Sequence, residues 1–161
     1  MDLGHGTGKV VLSAALMHPF AQSSGIELFE TLYTVSCDLK RIYADFLTAT
    51  SDETYLERFG WPKEQATQSL SLELGDILEA DWGECDLIFC ASLLFGVDIM
   101  QRVYEKSLSC KKGSWFLTLG NRLPNTEIVN EEYPLDPEQV WEVKLVARLP
   151  MSWGRAPVIL H

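Results

Sequence analysis

Short runs of β-branched and apolar residues alternate along the chain with longer stretches whose apolar positions recur every three to four residues. Such alternation is the pattern of strands feeding helices in a largely parallel α/β sheet. The first helical stretch is Lys9 to Leu16, and Ser24-Gly25-Ile26-Glu27 reads as a short strand ending in a carboxylate. Leu28, Leu32, Val35, Leu39, Ile42 and Phe46 then follow at steps of four and three, predicting a long helix with all six along one face. From Thr50 to Gln68, Ser51, Asp52, Gly60 and Pro62 break any regular period, so a broken helix or surface loop is expected. Strand signals return at Leu70-Ser71-Leu72-Glu73-Leu74 and stop at Gly75-Asp76.

Cys85 to Ala91 is nearly continuous in apolar character, as a strand buried on both faces requires. After a turn at Phe95-Gly96, Val97 to Leu108 is predicted helical and Gly113 to Leu119 a further strand, followed by a loose acidic span from Gly120 to Pro137. Val140 to Arg148 alternates like a strand with one wet face, and Pro157 to Leu160 reads as its antiparallel partner across a Pro150–Gly154 turn. No internal repeat or low-complexity tract interrupts this order. One α/β domain over residues 1–161 is the expectation, mostly parallel with a C-terminal antiparallel pair.

Size and charge narrow the possibilities. The chain of 161 residues, 47% of them hydrophobic, is long enough for one domain with a real core. No run of about 18 apolar residues offers a membrane span, and no basic segment followed by an apolar one marks a secretory leader. Cys37, Cys85, Cys90 and Cys110 form no C-x-x-C pair and have no His at zinc-like spacing, so they read as reduced thiols of an intracellular protein, cytoplasmic or nuclear, and no metal site is expected. A net charge of -10, from 13 Lys+Arg against 23 Asp+Glu, argues against broad binding to a phosphate backbone. Lys40-Arg41 and Lys111-Lys112 are the nearest to a basic patch, and solvated surface is their simpler reading.

The chemistry begins at Asp2-Leu3-Gly4-His5-Gly6-Thr7-Gly8, which runs directly into the first helix. Glycines at alternate positions let the backbone take positive φ and approach a ligand closely, while the helix start offers unpaired N–H groups. A polar or anionic group is expected there, although a plain strand-to-helix turn is the other reading. In the G-x-G-x-x-G fingerprint of dinucleotide sites the third glycine comes one residue later than here, where Lys9 stands. In open parallel sheets ligands bind beyond the carboxyl ends of the strands, which directs attention to Glu27, Asp76 and Ala91-Ser92. Glu27 follows Gly4 by 23 residues, near the roughly 20-residue spacing at which a carboxylate reaches ribose hydroxyls. Asp76 reads either as an acceptor for an exocyclic amine, with Ile77 packed on its ring, or as a helix N-cap.

In that order, Asp2 to Gly8, Gly25-Ile26-Glu27, Gly75-Asp76-Ile77 and Phe89 to Gly96 resemble class I methyltransferases that use S-adenosylmethionine (SAM). Gly75-Asp76-Ile77-Leu78 with Asp81-Trp82, Leu93-Leu94-Phe95-Gly96 and Ser152-Trp153-Gly154-Arg155-Ala156-Pro157-Val158 are similar to the Dot1-like histone lysine methyltransferases. The resemblance implies a Rossmann-like doubly wound sheet. It also implies a SAM site with Asp2, Gly4, Gly6 and Gly8 around the methionine moiety, Glu27 on the ribose and Asp76 and Ile77 on adenine. A target-amine channel would lie near Ala91, Ser92, Phe95 and Trp153. The chain departs from the pattern in carrying Ala91-Ser92 where these enzymes carry Asn-Asn, and Ile159 where they carry an aromatic. Their first sheet strand is expected to be missing, since only Met1 precedes Asp2, and the chain therefore to be N-terminally truncated.

Methyl transfer to an amine is a direct displacement, so such a site aligns the reactants and excludes water without needing an obvious base. An apolar channel favours the neutral amine by lowering its pKa. The expected partner is a protein substrate, a histone among the possibilities, with no nucleic-acid or membrane surface. Two other readings stay open. One is a methyltransferase fold without activity that serves as a binding module, which Ala91-Ser92 favours. The other is an NAD(P)-dependent reductase, opposed by the early third glycine.

Overall fold

The computed structural model describes residues 1–66, 70–126, 141–152 and 154–161. They form two compact units, Met1–Ala80 and Asp81–His161.

The first unit opens with a strand of only two residues, β1 (Asp2–Leu3), so the strand expected to be missing is present in brief. β1 runs parallel to β2 (Ser23–Glu27), with Asp2 opposite Gly25 and Leu3 opposite Ile26. β2 runs parallel to β3 (Leu70–Leu74), in a register that ends with Glu27 opposite Leu74. Helix α1 (Lys9–Met17) joins β1 to β2, and α2 (Glu30–Ala49), α3 (Asp52–Phe59) and α4 (Lys63–Ala66) join β2 to β3. The span expected to be a broken helix is thus two short helices. Ser51 starts α3 by accepting the Thr54 N–H on its hydroxyl, Asp52 and Glu53 suit the positive helix start, and Gly60 closes it at φ 81°. Tyr55, fully buried, packs edge-on against Trp61 with ring centroids 5.3 Å apart.

Helix α2 corrects the expected apolar face. Leu28 precedes the helix, and Leu32, Val35 and Ile42 are exposed, Ile42 by 62%. The buried positions are Ser36, Tyr43 and Leu47, with Leu39 and Phe46 half-buried against the core. The 4-3 stripe keeps a 3.5-residue period, so it drifts around a helix of 3.6 residues per turn. The face that turns inward is selected by its neighbours: the Tyr43 hydroxyl donates to the Ala66 carbonyl at 3.0 Å, and Ser36 is the small residue beneath the first turn of α1.

In the second unit β4 (Leu87–Cys90) and β5 (Trp115–Leu119) are parallel. β5 pairs antiparallel with β7 (Gly154–Leu160), and β7 antiparallel with β6 (Leu145–Met151). Ile88 and Cys90 are fully buried while Leu87 and Phe89 are half-buried. Helix α5 (Val97–Ser107) buries Met100, Val103, Tyr104 and Ser107, the i, i+3, i+4, i+7 face of an amphipathic helix. The strand expected from Val140 starts instead at Leu145; Val140 itself lies outside the described residues, as does the loop expected to continue beyond Thr126. Trp141 is drawn inward, its indole N–H donating to Ser107 Oγ at 2.8 Å and its ring meeting Phe116 edge-on at 5.7 Å, which leaves the ladder to begin further on.

Candidate functional site

All three loop glycines adopt the left-handed backbone that favours glycine: Gly4 at φ 77°, Gly6 at 56° and Gly8 at 79°. The turn is fastened from below by the Ile26 carbonyl, which accepts from Gly4 N at 2.9 Å and His5 N at 3.1 Å. A Cβ on Gly8 would stand 3.2 Å from Ser36 Cβ, whereas one on Gly6 would meet nothing within 4 Å. One glycine therefore lets the helix start pack, and another keeps open space above the loop.

Glu27, buried at the end of β2, holds this geometry electrostatically. Its Oε2 accepts from Gly6 N at 2.8 Å and its Oε1 from Phe29 N at 2.9 Å. Each oxygen keeps a second lone pair, which is what recognition of two ribose hydroxyls requires.

Asp2 is also buried, but its Oδ1 has no hydrogen-bond partner among the described residues. Burial pushes its pKa up to about 7, against the Met1 ammonium, which lowers it, and with the nearby Glu27 carboxylate, which raises it further. A buried carboxylate oxygen without a partner beside an open glycine loop suits a cationic or donor group of a ligand. In the ligand-free chain it has a consequence for stability. An unfolded Asp titrates near 3.8. Between there and about 7 the folded chain retains a proton that the unfolded chain has released, so stability falls as pH rises through that window. Thermal melts across the window are expected to show this decline and Asp2→Asn to flatten it; an unchanged slope in the variant would assign the decline to other groups.

Asp76 is half-buried after β3 and its Oδ1 accepts from Leu78 N at 2.8 Å. It therefore stabilises the turn over residues 77–79, and since no helix follows, it is not the helix N-cap of the alternative reading. Ile77 is buried next to it. Asp2, the glycine loop, Glu27, Asp76 and Ile77 all belong to the first unit and cluster at the carboxyl ends of its strands.

In the second unit, Ala91 is exposed directly after β4 and a 3-10 turn follows at Ser92–Leu94. Ser92, fully buried, spends its hydroxyl on the end of β5: Oγ accepts from Asn121 N at 3.0 Å and lies within donating distance of the Asn121 carbonyl, 2.8 Å, and the Leu119 carbonyl, 3.1 Å. Asn121 replies with its amide, donating to the Ser92 carbonyl at 2.8 Å and the Phe95 carbonyl at 3.3 Å. Ser92 thereby sets the path of the β4 turn, and Phe95 is half-buried within it. Ser92→Ala is expected to cost about 1–3 kcal/mol of stability by stranding buried polar groups, with homocysteine-form cofactor affinity unchanged; a melt equal to the parent's would remove that role. Trp153 lies outside the described residues.

Three positions with no site role expected from the sequence support the site: Gly25, a strand residue, His5, expected as a tolerated turn residue, and Asn121. A Cβ on Gly25 would come 2.8 Å from Val11 Cγ2 and 2.9 Å from His5 Cβ. His5, buried, places Nδ1 2.9 Å from the Gly6 carbonyl, so that nitrogen carries the proton. Asn121 is the third. A glycine inside a strand signals close backbone approach, so Gly25 was open to discovery; Asn121 offered no comparable signal.

The sequence profile of the family described as "Histone methylation protein DOT1" matches residues 1–158. The chain belongs to the Dot1 family. Its fold is that of class I methyltransferases. An RNA methyltransferase from Salinibacter ruber, solved in complex with S-adenosyl-L-homocysteine, superimposes with a TM-score of 0.62 at 16% identity, over 99% of this chain and 76% of that one. PKMT2 from Rickettsia typhi, solved with AdoHcy, gives 0.51 at 20% identity over 76% of this chain, which spans only 20% of PKMT2. No curated protein matches the sequence. SAM is the cofactor of this methyltransferase family, and the residues present fit it: an open glycine loop, a ribose-spaced carboxylate and a buried unpartnered Asp2 oxygen. Among the described residues no helix is long and apolar enough to cross a membrane.

Proposed function

We propose that this Dot1-family chain transfers a methyl group to an amine, and that the amine belongs to a protein lysine. The observation that carries the cofactor side is the buried, unpartnered Asp2 Oδ1 beside a loop of three positive-φ glycines. SAM supplies an electrophilic methyl on a sulfonium centre. Asp2 meets the positively charged part of the cofactor, and binding there favours its ionised form. Glu27 accepts from the ribose hydroxyls while keeping the loop in shape, and Asp76 with Ile77 receives the adenine. Ser92 acts as a positioning residue, and Phe95 supplies an apolar wall that favours the neutral lysine.

Charge supports a protein over RNA as acceptor. From Glu64 to Gln101, a stretch that includes the Ala91–Phe95 turn, there is no Lys or Arg, and it carries eight carboxylates, six of them between Glu73 and Asp86. An excess of acidic over basic side chains repels a phosphate backbone and attracts a basic polypeptide.

Transfer of radiolabelled methyl groups from SAM to core histones and to total tRNA, run beside calorimetric titration with S-adenosylhomocysteine, tests the reading. Label on protein that acid hydrolysis recovers as methyl-lysine is expected. Label on tRNA alone would replace the acceptor. Saturable cofactor binding with no transfer to any acceptor would favour the inactive binding module, for which the specific observation is that Ala91 offers no polar group and the Ser92 hydroxyl is used inside the fold. Absence of cofactor binding would overturn the whole reading.

A further inference from the structure

A concavity lies in the first unit, at the opposite end of the strands from the glycine loop. It is a groove of about 440 Å³ lined by α2, α4 and Leu70, the first residue of β3. Its floor is apolar: Tyr43, Leu47 and Ala66 are buried and Leu70 half-buried. Two lysines also line it, Lys40 and Lys63.

The two cations differ in what answers their charge. Lys63 Nζ donates to the Thr50 carbonyl at 2.8 Å and pairs at 2.9 Å with Asp52, whose side chain is 86% exposed. Lys40 Nζ donates to the Leu70 carbonyl at 2.7 Å, and no carboxylate lies within 4 Å of it among the described residues. Lys40 is a half-buried residue beside apolar walls, and among the described residues its ammonium is answered by a neutral carbonyl and no counter-charge. In a chain of net charge -10 with many carboxylates to place, that omission leaves room for an external anion.

We propose that this groove binds a small amphipathic acid: an apolar chain laid over Tyr43, Leu47, Ala66 and Leu70, with its single anionic head on the Lys40 ammonium. The volume falls in the range of small-molecule sites, roughly 300–1,000 Å³, and the mix of apolar lining with one or two polar anchors is what such sites use. Lys63, whose side chain is 22% exposed, stands at the rim with its own partners, the Thr50 carbonyl and Asp52. An anionic lipid in a bilayer carries the same head-group chemistry, but the ligand assigned here is the free acid. The proposal is independent of methyl transfer.

Calorimetric titration of the full chain with decanoate, below the concentration at which it forms micelles, tests the groove. Saturable one-to-one binding is expected, with decan-1-ol at least tenfold weaker because it lacks the charge. Lys40→Met keeps the apolar stem and is expected to weaken decanoate tenfold or more while leaving decanol and S-adenosylhomocysteine affinities unchanged. Ala44→Glu, at an exposed groove position, brings a carboxylate to the rim and is expected to weaken decanoate similarly. Absence of saturable decanoate binding, equal affinities for acid and alcohol, or indifference to both substitutions would each overturn the proposal. Association only with phosphatidylglycerol vesicles would also overturn it, and would assign Lys40 to a membrane surface instead.

Discussion

Glu27→Ala is expected to lower affinity for S-adenosylhomocysteine by tenfold or more, about 1.4 kcal/mol, and to destabilise the ligand-free chain as well. Two effects coincide because one carboxylate has two tasks. Its oxygens accept from Gly6 N and Phe29 N, and hydrogen bonds to a charged group are worth about 1.5–3 kcal/mol each. Removing the side chain leaves two part-buried N–H groups without this acceptor, so a stability loss of about 1–3 kcal/mol is expected. Glu27→Gln separates charge from volume. Its amide has one oxygen and one NH2, so it can satisfy only one of the two N–H groups and turns a donor towards the other. Calorimetry and thermal melts on both variants should therefore show Gln closer to Ala than to the parent. A Gln variant that binds and melts like the parent would mean that shape alone matters, and that Glu27 is no anchor for the loop.

The second large effect belongs to a residue without a side chain. Gly25→Ala adds a methyl 2.8 Å from Val11 Cγ2 and 2.9 Å from His5 Cβ. Neither neighbour yields easily: Val11 is β-branched within α1, which limits its rotamers, and His5 Cβ is one bond from the loop backbone. Overpacking of this kind costs about 1–3 kcal/mol, and relief by moving His5 shifts the loop that Gly4, Gly6 and Gly8 shape. The expected result is a lower melting temperature together with S-adenosylhomocysteine affinity reduced at least tenfold. Gly60→Ala is the contrasting control, because its cost comes from a positive φ of 81°, which Gly25 lacks, while a Cβ there meets nothing within 4 Å and the position caps α3 away from the loop. It should lower stability without a change in affinity for the folded chain. If Gly25→Ala lost stability but bound with parental affinity, the close packing would concern the core and not the loop.

Much of the fold was legible from local pattern. β2, β3, α5 and β5 lie where the periodicity places them, because each has either a clear 3.6-residue face or a short apolar run bounded by Gly, Asp or Ser. The glycine loop was legible for the same kind of reason: a residue without Cβ at every second position has few explanations, and the backbone at Gly4, Gly6 and Gly8 is left-handed as that spacing implies. The stripe on α2 misled because amphipathicity says that a helix has an apolar face, not that this face is turned inward. Val140 to Arg148 misled because alternation cannot foresee that Trp141 would find a hydrogen bond at Ser107 and a ring at Phe116.

By itself, then, the sequence determined the order of strands and helices, the turn chemistry of Asp2–Gly8, and the spacing that sets Glu27 at a strand end. These depend on steric and hydrogen-bonding rules acting within a few residues. Only the tertiary structure decided which of two chemically similar carboxylates is satisfied: Glu27 receives two N–H groups, whereas Asp2 is buried with an oxygen that receives none from the described residues. It also decided that Ser92 holds Asn121 and that Lys40 faces a groove with no counter-charge among the described residues. Burial and partner choice join residues far apart in the chain, and their energies exist only once distant segments have excluded water from one another.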